Sequence, residues 1–262
     1  LYYFLRKCDG EFAISALNIN RRELTLYTDL IATKPLVYSI NKEKIGVASY
    51  SAALSDLGFT EIKDVRANSI IKIDFNDLSL PKKEEVSVHN LDLVQGKENI
   101  ETWSEDFLKS VKERAGHFNS KVFVPLSAGY DSGAICCALN LLGIPYITAT
   151  VGDSESEDLI KKRIQINKDA SCIGHYWFKG LSESESNKIA HWIKNQLGII
   201  SYDHIDGRKW KKPLALHEDK GAIGLALLCK EMSARGFNTM LTGTGADEII
   251  SDYGHNGNKF YE

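Results

Sequence analysis

The wholly apolar run Val122-Phe123-Val124-Pro125-Leu126 passes directly into a small-residue stretch, Ser127-Ala128-Gly129-Tyr130-Asp131-Ser132-Gly133-Ala134. A strand that is apolar on both faces belongs inside a parallel sheet covered by helices, not at a solvated edge. Its neighbours carry the same pattern. Ile100, Trp103, Phe107, Leu108 and Val111 mark one face of an amphipathic helix before it. After it come an expected helix over 132–142, strand Tyr146–Val151, helix 155–171, strand Gly174–Phe178, helices near 183–197 and 221–236, and strand Asn238–Leu241. Such β-α alternation predicts an open α/β sheet with helices on both faces.

The first 75 residues follow a different grammar. Short runs such as Glu11–Leu17, Glu23–Tyr27, Leu36–Ile40, Ile45–Ala48 and Ser69–Ile73 alternate with period two between turn residues, which predicts antiparallel strands. Residues 76–97 are polar and weakly periodic and read as an interdomain connection, with 81–97 as the linker proper. The expected division is therefore a domain over 1–80, a linker over 81–97 and a second domain over 98–262. The chain opens on Leu1 and enters apolar, strand-like sequence at once, as though residues upstream were missing.

Composition narrows the function classes. An apolar fraction of 43% and a charged fraction of 26% exclude disorder, collagen and coiled coil. A net charge of -3 gives no electrostatic grip on nucleic acid or on a membrane surface, so neither is expected as a partner. The run Arg208-Lys209-Trp210-Lys211-Lys212 reads as a solvated loop. The five cysteines, Cys8, Cys136, Cys137, Cys172 and Cys229, contain no C-x-x-C pair and fit a reducing, cytoplasmic setting. Cys8 and the Cys136-Cys137 pair are expected to be buried thiols, and Trp192, Ile193 and Leu197 to line one helix face. No apolar run approaches the roughly 18 residues of a membrane span.

The chemistry concentrates where strand meets helix. In an open α/β sheet, ligands bind outside the carboxyl ends of the strands, and a helix N-terminus offers unpaired N–H groups to anions. A small-residue turn lets backbone approach a phosphate, the hydroxyls of Ser127 and Ser132 can donate to its oxygens, and Asp131 can hold Mg²⁺. The plain alternative is a turn in which Ser127 or Asp131 caps the helix.

This segment resembles the pyrophosphate loop, Ser-Gly-Gly-x-Asp-Ser, of ATP pyrophosphatases such as asparagine synthetases. Thr239-Met240-Leu241-Thr242-Gly243-Thr244-Gly245-Ala246-Asp247-Glu248 is similar to that family's Leu-Leu-Ser-Gly-Glu-Gly-Ala-Asp-Glu stretch, again at a strand end. Upstream, Asp9-Gly10-Glu11-Phe12-Ala13-Ile14, Leu26-Tyr27-Thr28-Asp29, Lys34-Pro35-Leu36-Val37-Tyr38 and Val47–Leu54 look like the later half of the family's glutaminase domain. The resemblance implies an α+β N-terminal part, a partial N-terminal-nucleophile hydrolase sandwich. After it would come an α/β parallel-sheet ATP-pyrophosphatase domain of the adenine nucleotide alpha hydrolase kind, C-terminally incomplete. Family members continue beyond both ends of this chain, and a lysine important to the synthetase reaction lies downstream.

The implied activity is amide formation. ATP activates a carboxylate as an acyl-adenylate with release of pyrophosphate, and an amine attacks the activated carbonyl. By resemblance Ser127, Gly129, Asp131 and Ser132 hold pyrophosphate, Asp131 and Asp247 bind Mg²⁺, Leu126, Val151 and Gly243 border the adenosine part, and Thr242 is a further cofactor-binding position. Asp131, Asp247 and Thr244 are the candidate catalytic positions. The implied partners are a small-molecule or peptide carboxylate and ammonia, glutamine or another amine donor, with a homodimer as an allowed assembly.

Departures from the family matter as much. The glutamate of Gly-Glu-Gly is Thr244 here, which removes a carboxylate, and a neutral hydroxyl cannot replace it as a base. The second loop glycine is Ala128, a mild change where φ is negative. Lys220 falls where aspartate-using relatives keep arginine, and Asp158 is equally a family acidic position or the exposed first turn of a helix. His175 matches a recurrent family histidine and reads as a satisfied structural one. The glutaminase cysteine and its partners cannot be mapped, so the chain is either a piece of a longer protein or has lost glutamine hydrolysis. Three readings stay open: an asparagine synthetase-like ligase, a lactam- or macrolactam-forming synthetase without glutaminase activity, and an inactive nucleotide-binding relative.

Overall fold

A computed structural model of the chain describes residues 2–8, 10–41, 44–76, 82–88, 99–116, 119–152, 156–197 and 215–245. The chain divides into two compact units, Leu1–Leu93 with Asn195–Ile200 and Val94–Lys194 with Ser201–Glu262.

The first unit holds two antiparallel sheets. Strands β1 (Ala13–Asn18), β2 (Glu23–Thr28), β6 (Ser69–Asp74) and β7 (Lys82–Ser87) form one, in the order β1-β2-β6-β7. Strands β3 (Val37–Ile40), β4 (Ile45–Ala48) and β5 (Lys63–Asp64) form the other, in the order β4-β3-β5. The alternation in β2 and β6 sorts their side chains to two buried faces. Leu24, Leu26, Ile71 and Ile73 join Leu36, Tyr38 and Val65 in the core shared with the second sheet. Tyr27 and Ile70 turn the other way, onto Leu5 and Val88. Helix α2 (Ser51–Asp56) covers the far side of the second sheet through Leu54, which packs with Val37 and Phe59.

Two expectations are corrected here. The opening apolar residues form a short helix, α1 (Tyr2–Leu5), which seals the outer face of the first sheet with Leu5. The stretch read as a linker contains β7, whose six residues pair antiparallel with β6 from Ser69↔Ser87 to Asp74↔Lys82. Backbone hydrogen bonds make this strand, and its Lys-Lys-Glu-Glu composition suits the end of a sheet, where charge discourages further pairing.

The hub of this unit is Asp29. Its carboxylate accepts hydrogen bonds from the N–H groups of Phe12 (3.2 Å), Ile31 (3.2 Å), Thr33 (3.0 Å) and Lys34 (3.4 Å) and from the Thr33 hydroxyl (2.5 Å). Burial raises its pKa, but the bonds from Thr33, Ile31 and Phe12 outweigh burial and hold it below the ordinary carboxylate range.

The second unit is a mixed α/β layer around a parallel sheet, as the apolar strands predict. Strands β8 (Val122–Pro125), β9 (Tyr146–Val151), β10 (Cys172–Phe178) and β11 (Thr239–Met240) lie in the order β10-β9-β8-β11, all parallel. Helices α3 (Glu101–Ala115), α4 (Tyr130–Leu141) and α5 (Glu157–Lys168) cover one face through Val111, Leu139 and Ile160. Helix α7 (Lys220–Ala234) covers the other through Leu228 and Met232, and α6 (Glu183–Leu197) follows β10. Ile193 is buried on α6, but Trp192 is half exposed. The chain winds β8, β9, β10 in one direction and returns to place β11 on the other side of β8. The switch point of the sheet therefore lies between β8 and β11, where an open α/β fold leaves a crevice. No helix among the described residues is long and apolar enough to cross a membrane.

Asp29→Ala should destabilise the first unit by on the order of 3 kcal/mol, because several part-buried N–H groups lose their acceptor together. Since the folded pKa is depressed, the carboxylate's contribution is present above the unfolded value of about 3.9 and lost as pH falls through the folded one. Denaturant titrations at pH 7 and in steps below pH 4 should show acid destabilisation in the wild type and a flatter profile in Asp29→Asn.

Candidate functional site

The loop between β8 and α4 is held by two serine hydroxyls. The backbone keeps its sheet register to Leu126, whose N–H donates to the Ala149 carbonyl at 2.8 Å and whose carbonyl accepts from the buried Thr150 hydroxyl at 2.7 Å. The chain then turns. The Ser127 N–H donates to Ser132 Oγ (3.1 Å), the Gly129 N–H donates to Ser127 Oγ (3.1 Å), and the two hydroxyls lie 3.0 Å apart. Both hydroxyls thus tie the loop to itself. Gly129 precedes α4 in an extended conformation, φ -70° and ψ 160°, and no side chain caps the helix. The capping alternative for Ser127 or Asp131 is thereby answered. Ala128 is absent from the positive-φ residues, so the alanine fits without strain.

Asp131 stands in the first turn of α4, half buried, and its carboxylate forms no hydrogen bond or ion pair among the described residues. Acidic charge is favoured there by the helix dipole, and α4 has no intrahelical acceptors for its leading N–H groups. The second loop approaches from β11. Leu241 continues that strand with an N–H bond to the Phe123 carbonyl at 3.0 Å, and the chain passes through Thr242 to Gly243. A Cβ on Gly243 would stand 2.9 Å from the Asp131 carbonyl carbon and 3.1 Å from its Cα, so the two loops touch through the missing side chain. Thr242 and Thr244 share a hydroxyl hydrogen bond of 2.8 Å, and the Thr244 N–H donates to Thr242 Oγ1 at 3.2 Å. Gly245 follows at φ 106°, a conformation that favours glycine.

The structure therefore brings Leu126, Ser127, Gly129, Asp131, Ser132, Thr242, Gly243 and Thr244 together on two touching loops at the carboxyl edge of the sheet. Val151 ends the adjacent strand at the same edge, its Cγ1 3.4 Å from where a Cβ on Gly224 of α7 would lie. Asp247 and the basic run 208–212 lie outside the described residues. Asp158 is exposed in the first turn of α5, and Lys220 is the exposed first residue of α7 beside its cap, Asp219. Among the described residues no three His, Cys, Asp or Glu side chains cluster for a metal.

His175 lies deeper, in mid-strand opposite Thr148, with Nδ1 2.8 Å from the Thr148 hydroxyl. Its buried Nε2 has no hydrogen-bond partner among the described residues, so within them it is satisfied on one nitrogen only. Burial pushes its pKa down to about 4, which keeps the ring neutral at pH 7. Cys8 is only half buried and Cys137 is exposed, contrary to the expectation of buried thiols. Cys136 is buried, which raises its thiol pKa to about 12.

One residue escaped sequence reasoning. Arg163 of α5 donates through Nη1 to the carbonyls of Ser127, at 2.7 Å, and Gly129. The available signal was its spacing, three residues after Ile160 and four before Asn167, which sets a cation on the buried face of the helix.

No family model matches the chain, and no curated protein matches it. Among solved structures it is similar to the allosteric regulatory enzyme of purine biosynthesis, at 13% identity and a TM-score of 0.26, over 68% of this chain and 52% of that one. It is likewise similar to the glutamine phosphoribosylpyrophosphate amidotransferase of B. subtilis complexed with ADP and GMP, at 13% identity and a TM-score of 0.27, over 95% and 64% of the two chains. The chain thus spans between about half and two thirds of their lengths. Similarity this slight decides neither family nor activity.

Gly243→Ala should force the loops apart at a cost of about 1–3 kcal/mol. Gly133→Ala is the matched control, since its Cβ would meet the Arg163 guanidinium at an ordinary 3.5 Å. Thermal melts should show a clear loss for the first and no loss for the second.

Proposed function

We propose that the second unit binds ATP with Mg²⁺ at the β8–β11 crevice and activates a carboxylate for attack by an amine, an amide-forming ligase reaction of the asparagine synthetase kind. The observation that carries this reading is the contact of Gly243 with Asp131. It joins the two loops that resemble the family's nucleotide-binding motifs, and it does so at the switch point of the sheet.

The residues present suit the group. Mg²⁺ takes one or two protein carboxylates together with phosphate oxygens and waters, and Asp131 offers a carboxylate with no partner among the described residues, in the first turn of a helix. Asp131, with Asp247, would hold the metal, which when bound neutralises charge developing on the pyrophosphate leaving group. The N–H groups that open α4 receive the terminal phosphates, and the Ser127–Ser132 hydroxyl pair keeps the turn closed behind them. The ends of β8, β9 and β11 at Leu126, Val151 and Gly243 border the adenosine. The acceptor is a small-molecule or peptide carboxylate, and the nucleophile is ammonia, whether free or derived from glutamine, or another amine.

Thr244 favours a second reading within the same chemistry. Its hydroxyl is engaged with Thr242, so the described part of this loop supplies no carboxylate to serve as a base for the amine. A synthetase closing an amide within one substrate, to a lactam or macrolactam, accords with that neutral loop.

ATP–pyrophosphate exchange against a panel of carboxylates tests both readings. Exchange with aspartate favours the first, and exchange only with an amine-bearing or peptide acid favours the second. Absence of exchange together with absence of ATP binding sinks the ligase reading. Asp131→Asn should reduce exchange by at least about a hundredfold with an unchanged melting temperature. Undiminished exchange in that variant refutes the metal role.

A further inference from the structure

Arg163 spends its charge on the back of the loop. It reaches from α5, which is fixed by Ile160 in the core and by a 3.0 Å hydrogen bond from Asn140 of α4 to Asn167. One nitrogen, Nη1, donates both to the Ser127 carbonyl at 2.7 Å and to the Gly129 carbonyl, and the guanidinium carbon lies 3.5 Å from where a Cβ on Gly133 would stand. In a trans peptide the C=O of one residue and the N–H of the next point in opposite directions, and no described peptide here is cis. A Gly129 carbonyl drawn toward Arg163 therefore turns the Tyr130 N–H away from it, at the head of α4. Gly129 needs such restraint. Its backbone is the most permissive in the loop, and a rotated peptide would present a carbonyl lone pair to an incoming phosphate in place of an N–H.

We infer that Arg163 is a positioning residue for phosphate binding: it holds the Ser127 and Gly129 carbonyls turned back, so that the N–H groups opening α4 face the anion. This deepens the nucleotide reading of the same loop and rests on it. Arg163 reaches the phosphates through the loop backbone, and its influence is confined to the pyrophosphate part of the ligand. A ligand without the outer phosphates gains nothing from it.

Calorimetric titration of the full chain with Mg·ATP, with inorganic pyrophosphate and with AMP tests this in the wild type, Arg163→Met and Arg163→Lys. Arg163→Met should weaken ATP and pyrophosphate by about tenfold to a hundredfold, the range seen when a group behind a ligand-binding residue is removed. AMP affinity should stay within about twofold, and Arg163→Lys, which keeps the charge on a single nitrogen without the planar fork, should fall between. Equal loss for all three ligands in Arg163→Met means a merely structural role and overturns the inference, as does undiminished ATP and pyrophosphate binding. A wild-type chain that binds none of the three overturns the nucleotide reading, and this inference falls with it.

Discussion

The site depends on a side chain that is not there. The loops leaving neighbouring strands β8 and β11 approach each other closer than a Cβ would allow, and Gly243 provides that approach against the backbone of Asp131. The order β10-β9-β8-β11 sends the chain away from β8 in opposite directions, the topology at which open α/β sheets place a ligand crevice, and α4 begins at that edge. Were residue 243 any larger, Asp131 would have to shift, and the first turn of α4 with it. The geometry of the carboxylate is thus set by a residue more than a hundred positions away in the chain.

Around that contact, polar groups divide into those that build the loop and those left over. The N–H groups of Ser127 and Gly129 are consumed by serine hydroxyls, and the carbonyls of the same residues by Arg163. Among the described residues, what remains is the head of α4 and the Asp131 carboxylate. A preorganised arrangement of this kind costs little reorganisation when a charged ligand arrives, which is where fixed dipoles outperform solvent. The serines matter differently from the way their sequence context suggests. Their hydroxyls hold the turn shut, so on the proposed reading they would act on an anion through the backbone they restrain.

Much of this was legible in the residues because one periodicity dominated. Strand Tyr146–Val151 and the helix over 183–197 match to the residue, since apolar runs between turn signals leave little freedom inside a parallel sheet. The two loops were legible as motifs, and the strand order explains why motifs far apart in sequence touch. What was illegible lacked a side-chain signal. Strand β7 has no apolar alternation, because at the end of a sheet the backbone alone supplies its pairing. Helix α1 is four residues long, too short for any period to show, and is anchored by Leu5 alone among its described side chains. Arg163 acts on carbonyl oxygens, which every residue carries, so no partner residue type announced it.

Charge closes the account of why the site takes this form. With 35 acids against 32 bases, the molecule as a whole repels a polyphosphate slightly, so attraction must come from groups within a few ångströms. The N-terminus of α4 offers roughly half a positive charge, and Asp131 alone would cancel it. A bound cation reverses that balance: the carboxylate then becomes the means of holding positive charge between protein and phosphate, and the helix N–H groups are left to the outer oxygens. Arg163 fits the same logic from behind, where a fixed cation polarises the very peptides whose N–H groups face forward. On the proposed nucleotide reading, such a site would bind a nucleotide and its metal together or neither well, because each would supply the charge that makes the other's position favourable.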